Sequence, residues 1–89
     1  MKAVVTVVGK DRVGIIYDVT KVLAENSVNV LNISQTILDG YFTMIMMLDL
    51  KECTEEFVNV QSILSKEASV LGVEVKIQRE EIFKSMHTL

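Results

Sequence analysis

The 89-residue sequence predicts one α+β domain, in which a four-stranded antiparallel sheet carries two helices on one face. Three observations lead to this fold class. Segments rich in valine, isoleucine and threonine, some of which alternate between apolar and polar residues, flank two stretches whose apolar residues recur every three or four positions. Asp39-Gly40, a common hairpin turn, separates two of the alternating segments. The resulting order is strand, helix, strand, strand, helix, strand.

The first half of the chain predicts a strand, a helix and a second strand. Residues 2–8 are rich in valine and threonine, which favour a pleated sheet. The helix is predicted from Ile15, and Asn26-Ser27 is expected to end it because Asn tolerates the left-handed conformation of many helix C-termini. Its apolar positions are Ile15, Ile16, Val19, Val22 and Leu23. In residues 28–38, Leu31, Ile33 and Ile37 alternate with Asn32, Ser34 and Thr36.

The second half predicts a strand, a helix and a last strand. Residues 41–50 continue the hairpin. Thr54 is the expected N-cap of the second helix, with Glu55 and Glu56 in its first turn, where the helix dipole favours negative charge. Gly72 is expected to end this helix, and alternation then predicts a strand over residues 73–79. The buried face of the helix is predicted to be Phe57, Val60, Leu64, Ala68 and Leu71.

This order of elements is that of a ferredoxin-like βαββαβ sandwich. The domain is expected to span residues 1–79, followed by a tail, residues 80–89, that is helical and docked. Ile82, Phe83, Met86 and Leu89 recur in the tail at helical spacing. For the sheet face opposite the helices, the sequence allows three alternatives: it is covered by the tail, covered by a second subunit, or exposed to solvent. Its expected residues are Asn32, Ser34, Thr36, Thr43, Ile45, Met47, Glu74 and Lys76.

Composition narrows the function classes. The net charge is -3, and the nine Lys and Arg residues are scattered, so the sequence lacks the basic stripe of a nucleic-acid binder. The only cysteine, Cys53, cannot form an internal disulfide, and no long apolar run suggests a signal peptide or membrane span. We therefore expect a cytoplasmic protein without membrane association. An apolar content of 49% in so short a chain favours a buried subunit interface.

The residues needed for catalysis are scarce. The only histidine, His87, lies far along the chain from Cys53, so a Cys–His nucleophile pair is not indicated. The acidic residues Asp49, Glu52, Glu55 and Glu56 fit a solvated loop and helix start. Met44, Met46 and Met47 fit an apolar core or interface. We expect no enzymatic activity, no metal and no cofactor.

The segment after the first strand, Gly9-Lys10-Asp11-Arg12-Val13-Gly14-Ile15, allows two interpretations. Backbone N–H groups at a helix N-terminus favour an anion such as a carboxylate, and a glycine allows close approach of a ligand. Asn29, farther along, can both donate and accept hydrogen bonds. Alternatively, Asp11 caps the helix, Gly9 and Gly14 serve backbone geometry, and Asn29 merely begins a strand.

With the helix that follows and Ser27-Val28-Asn29-Val30, this segment resembles an ACT domain over about the first 80 residues. The similarity is to small stand-alone ACT proteins and to the ACT halves of the glycine-cleavage-system repressor. The resemblance implies a regulatory domain that binds an amino acid or related small molecule between paired domains. It also implies that Gly14 and Asp11 contact the ligand, that Arg12 serves through its backbone, and that Asn29 reaches across from the partner subunit.

Three positions depart from amino-acid-binding members of that family. Val13 replaces a common proline, Gly9 stands where the serine-sensing dehydrogenase domain has histidine, and Asp11 where it has asparagine. Because an aspartate repels a carboxylate and attracts an ammonium group, the ligand would be oriented or chosen differently from serine. The candidate ligand-binding residues are Gly9, Asp11, Arg12, Val13, Gly14 and Asn29. The expected protein is a homodimeric amino-acid sensor that acts on a regulated protein; the alternative is a ligand-free docking module.

Overall fold

The computed structural model describes residues 1–10 and 14–87, and its elements follow the predicted order. They are β1 (Lys2–Lys10), α1 (Ile15–Glu25), β2 (Asn29–Leu38), β3 (Tyr41–Asp49), α2 (Phe57–Leu71), β4 (Glu74–Arg79) and α3 (Glu80–His87). The strands form one antiparallel sheet in the order β2-β3-β1-β4. The ferredoxin-like fold with a short C-terminal helix is therefore confirmed. Within the described residues, no helix is long and apolar enough to cross a membrane.

The core lies between the sheet and the helices α1 and α2. Ala3, Val5 and Val7 alternate along β1 and are completely buried on the helix face of the sheet. The predicted face of α2 is also confirmed, because Val60, Leu64 and Ala68 are buried. In α1, the buried residues are Ile15, Val19 and Leu23. No buried side chain in the described part of the chain is polar or charged, so burial of apolar surface stabilises this interior.

The opposite face of the sheet is partly covered by α3. The pairing register places Thr43, Ile45 and Met47 on this face beside Asn32, Ser34 and Thr36, as predicted. Because α3 begins directly after β4, it folds back over β1 and β4, where Phe83 lies beside Val4. Val4 is buried in consequence, whereas Ile45 remains 41% exposed. The tail thus covers one half of this face and leaves the β2–β3 half open; Leu89 lies outside the described residues.

The predicted start of α2 was wrong, whereas the predicted end of α1 at Asn26-Ser27 was right in position. The N-cap of α2 is Glu56 rather than Thr54, and the helix begins at Phe57, whose ring lies 5.2 Å from the guanidinium of Arg79. This contact and the half-buried position of Phe57 fix the first turn two residues later than the capping pattern suggested. Helix α1 ends at its C-cap Asn26 as predicted, but the left-handed residue is Ser27 rather than Asn26, whose side chain donates a hydrogen bond to the Val22 carbonyl. The predicted end of α2 at Gly72 is confirmed, with φ of 72°.

A third difference is a bulge in β2. The pairing between β2 and β3 shifts between Val30 and Asn32, which leaves Leu31 without a partner. Simple alternation had grouped Leu31 with Ile33 and Ile37. In a regular strand, residues three positions apart point to opposite faces of the sheet. The extra residue in the bulge reverses this relation, so Val30 and Ile33 both point toward the helices.

Close packing at Gly9 generates a stability prediction. A Cβ atom on Gly9 would lie 2.6 Å from Cγ1 and 3.3 Å from Cα of Val73, the residue directly before β4. We expect Gly9→Ala to lower the free energy of unfolding by about 1–3 kcal/mol, as overpacking typically does. Urea unfolding followed by circular dichroism measures the change.

Val73→Ala supplies the control for this prediction. Removing the Val73 methyl groups should relieve part of the clash, so the Gly9→Ala/Val73→Ala double variant should lose less stability than the two single losses added together. Strict additivity would show that Val73 is not what excludes a side chain at position 9.

Candidate functional site

Gly14 forms the N-terminal cap of α1 in a left-handed conformation, with φ of 93° and ψ of -2°. Its carbonyl accepts a hydrogen bond of 2.9 Å from the Asp18 N–H and so closes the first turn. The first N–H groups of a helix have no acceptor within the helix and carry the positive end of its dipole. A Cβ atom on Gly14 would meet only the Asp18 carboxylate, at 3.9 Å. The backbone conformation at position 14 therefore disfavours residues other than glycine, although there is room for a Cβ atom.

A cleft of about 310 Å³ lies between this helix start and the far end of β2. We call it the Gly14 cleft. Its lining residues are Gly14, Ile15, Ile16, Tyr17, Gln35, Ile37 and Phe42. Phe42 is buried, whereas Ile16 and Ile37 are 36% and 56% exposed. The cleft thus combines apolar walls, one side-chain amide and the N-terminus of a helix, a combination suited to a small molecule with an anionic group and an apolar part.

The predicted site residues are only partly brought together. Gly14 lines the cleft, whereas Gly9 lies in β1 against Val73 and is not among the lining residues. Asp11, Arg12 and Val13 lie outside the described residues. Asn29 is exposed at the opposite end of β2 from Ile37, roughly 26 Å away at the usual rise of a strand. Within one chain, Asn29 therefore does not reach the cleft.

Sequence patterns did not identify the walls of the cleft as site residues. Ile16 had been assigned to the helix face and Ile37 to one side of an alternating strand, but nothing indicated that the two would be neighbours. Their proximity arises because β2 is an edge strand and α1 starts beside its last residues. The one local signal was Gln35, a polar residue on the same side of β2 as Ile33 and Ile37.

The two edges of the sheet differ in charge. All ten residues of β2 are uncharged, and its Ile33 and Ile37 are 42% and 56% exposed although they lie on the helix face. In contrast, the six residues of β4 include Glu74, Lys76 and Arg79. Charged side chains protect an exposed edge from pairing with another chain, whereas an uncharged apolar edge permits it. The edge that borders the Gly14 cleft is therefore the one suited to self-association.

The titratable side chains of the described residues form no metal-binding cluster. Among residues 1–10 and 14–87, no three His, Cys, Asp or Glu side chains are placed to hold a metal ion. Cys53 is half-buried and its thiol donates a weak hydrogen bond of 3.7 Å to the Glu55 carbonyl. No polar or charged side chain is buried in the described core.

The structure is a ferredoxin-like domain with a cleft between the start of α1 and the end of β2, and comparison with known proteins identifies its family. The family model described as "ACT domain" matches residues 2–78. The chain belongs to the ACT domain family.

Relatives and solved structures agree with this assignment. A UPF0237 protein from Listeria innocua is 52% identical over 89 residues, which cover 100% of both chains. The structure of an ACT domain protein from Streptococcus pneumoniae has a TM-score of 0.83 and 38% identity, covering 94% of each chain. A protein assigned as a glycine cleavage system transcriptional repressor shares the fold at 20% identity, with a TM-score of 0.75 over 88% of this chain and 44% of that chain.

The left-handed conformation of Gly14 generates a second stability prediction. Because a Cβ atom disfavours this backbone region, Gly14→Ala should lower the free energy of unfolding by about 1–2 kcal/mol, and Gly14→Asn by less, since Asn tolerates positive φ. Gly72→Ala is a matched control, since Gly72 is also left-handed in open space, and it should lose a similar amount. A Gly14→Ala protein as stable as the wild type in urea unfolding would contradict this.

Proposed function

We propose that this protein is a non-catalytic regulatory domain that binds an amino acid or a related small metabolite at the interface of a homodimer. The observation that carries the proposal is the position of the Gly14 cleft, which joins a helix N-terminus to the uncharged edge of β2. A ligand in this cleft would lie beside the surface through which two copies associate. The single Cys53 fits a reducing compartment, so we place the dimer in the cytoplasm.

The ligand's main-chain groups would lie near Gly14. Its carboxylate would accept hydrogen bonds from the first N–H groups of α1, since these donors have no partner within the helix. Its ammonium group would face the carboxylate of Asp11. Arg12 and Val13, which directly precede Gly14 in the sequence, would contribute backbone groups. No cofactor is needed for binding of this kind.

Pairing of β2 with its copy would complete the site. Two β2 strands related by a two-fold axis run antiparallel, so the first residues of one strand lie beside the last residues of the other. Asn29 of the partner subunit would then lie near Ile37 and the Gly14 cleft, although it is remote from this cleft within its own chain. The pairing would give a continuous eight-stranded sheet and remove two exposed edges.

Regulation would follow from differential binding. A ligand held by both subunits stabilises the dimer arrangement in which both contribute contacts, and a partner protein that distinguishes this arrangement would respond to ligand concentration. A ligand-free docking module is the second candidate. It is favoured by α3, where Ile82 is half exposed beside a groove formed with Phe57 and Leu64.

Thermal unfolding in the presence of each of the twenty amino acids tests the proposal. A ligand at about a hundred times its Kd should stabilise the protein by ~2.7 kcal/mol, which corresponds to a Tm increase of roughly 10–20 °C for a domain of this size. We expect Gly14→Ala and Asn29→Ala to lose this increase and Gly72→Ala, matched to Gly14→Ala in stability, to keep it. If no amino acid raises the Tm, the docking module is favoured instead.

The proposed interface is tested by a charge on β2. Ile33→Lys would place two ammonium groups close to the two-fold axis in an edge without compensating charge, so we expect a monomer in sedimentation equilibrium at micromolar concentration. Val70→Lys is the control, because Val70 is 80% exposed on α2 and away from β2, and it should remain dimeric. A wild-type monomer, or a dimer that survives Ile33→Lys, would show that β2 does not pair.

A further inference from the structure

We propose that the Gly14 cleft selects amino acids with medium or large apolar side chains, such as leucine, methionine or phenylalanine, over small polar or charged ones; this inference rests on the proposed function. The helix N-terminus can hold the carboxylate that all amino acids share, so it carries no information about the side chain. Selection must come from the remaining walls of the cleft.

Those walls present apolar surface that a ligand side chain can cover. Ile16 on α1 and Ile37 on β2 are both partly exposed on either side of the cleft, and Phe42 closes it from the core. Tyr17 stands at the rim with most of its ring exposed. An apolar side chain placed among these residues removes its own surface and theirs from water, whereas a serine side chain would leave the isoleucines hydrated.

The uncharged lining of the cleft disfavours ligands with charged side chains. None of its described lining residues is charged, and Gln35 is the only polar residue with a side-chain amide among them. The carboxylate of Asp18 lies beside Gly14, the end that the main-chain groups of the ligand would occupy. Among these described lining residues, a lysine, aspartate or glutamate side chain directed between Ile16 and Ile37 would contact apolar surface rather than an ionic partner, which disfavours its binding.

The size of the cleft agrees with this class. A volume of about 310 Å³ is at the lower end of the range for small-molecule sites, so it suits a single amino acid rather than a nucleotide. Because the cleft lies against the β2 edge, the second subunit would enclose the ligand further.

Isothermal titration calorimetry of the wild-type protein separates the possibilities, with leucine, methionine and phenylalanine as apolar probes and serine, aspartate and lysine as polar ones. We expect at least one apolar probe to bind about ten-fold more tightly than any polar probe. Equal or tighter binding of a polar probe would overturn the apolar selection while leaving amino-acid sensing intact. Binding of none of the six, together with no Tm increase by any amino acid, would overturn both.

A variant on α1 locates the selectivity without disturbing the β2 edge. Ile16→Asn should weaken binding of the preferred apolar probe about five-fold or more and leave serine binding unchanged, because only the apolar ligand uses that wall. Ile16→Val should lose little. Val58→Asn, on an exposed position of α2 remote from the cleft, is the matched control and should bind as the wild type does. Unchanged binding in Ile16→Asn would show that the apolar side chain lies elsewhere.

Discussion

The rest of the structure depends on the double pairing of β1. This strand is hydrogen-bonded to β3 on one side and to β4 on the other, and its residues Ala3, Val5 and Val7 are completely buried under the helices. A backbone in that position must satisfy its N–H and C=O groups within the sheet, because water does not reach them. The described core contains no polar side chain that could substitute for this ladder. The direction of β1 therefore fixes where the turn after it begins and where α1 starts.

The strand order leaves β2 and β4 as the edge strands, and these two edges differ in charge and in their contact with helices. β4 carries three charged residues and is flanked by α3, which starts at its last residue and folds back over the sheet. β2 has no charge, and no helix covers Ile33 and Ile37. The asymmetry matters because the Gly14 cleft borders only the β2 edge. Association through β2 and ligand binding at α1 would then act on the same surface.

Much of this fold could be predicted from sequence because its elements are strongly periodic. The valine- and threonine-rich composition of β1 and the three-and-four spacing of apolar residues in α2 both predicted the correct element. The start of α2 was not predicted correctly, since the position of Phe57 depends on Arg79, more than twenty residues away. Contacts between residues distant in sequence also limit how much of the candidate site can be predicted. Gly14 was identified from its local chemistry, but Ile16, Gln35 and Ile37 become neighbours only through strand order and the bulge at Leu31.

The two glycines that border the turn after β1 show how structural and ligand-binding roles can be separated. At Gly9, the position of a Cβ atom is already occupied by Val73, so packing alone accounts for the absence of a side chain. At Gly14, a Cβ atom would meet nothing closer than 3.9 Å, and the residue is needed only for its backbone conformation. The positive φ at position 14 is by itself enough to favour glycine there, and Asn would tolerate it better than other side chains. The space beside the backbone therefore remains open at Gly14, which lines the cleft, whereas Val73 fills it at Gly9.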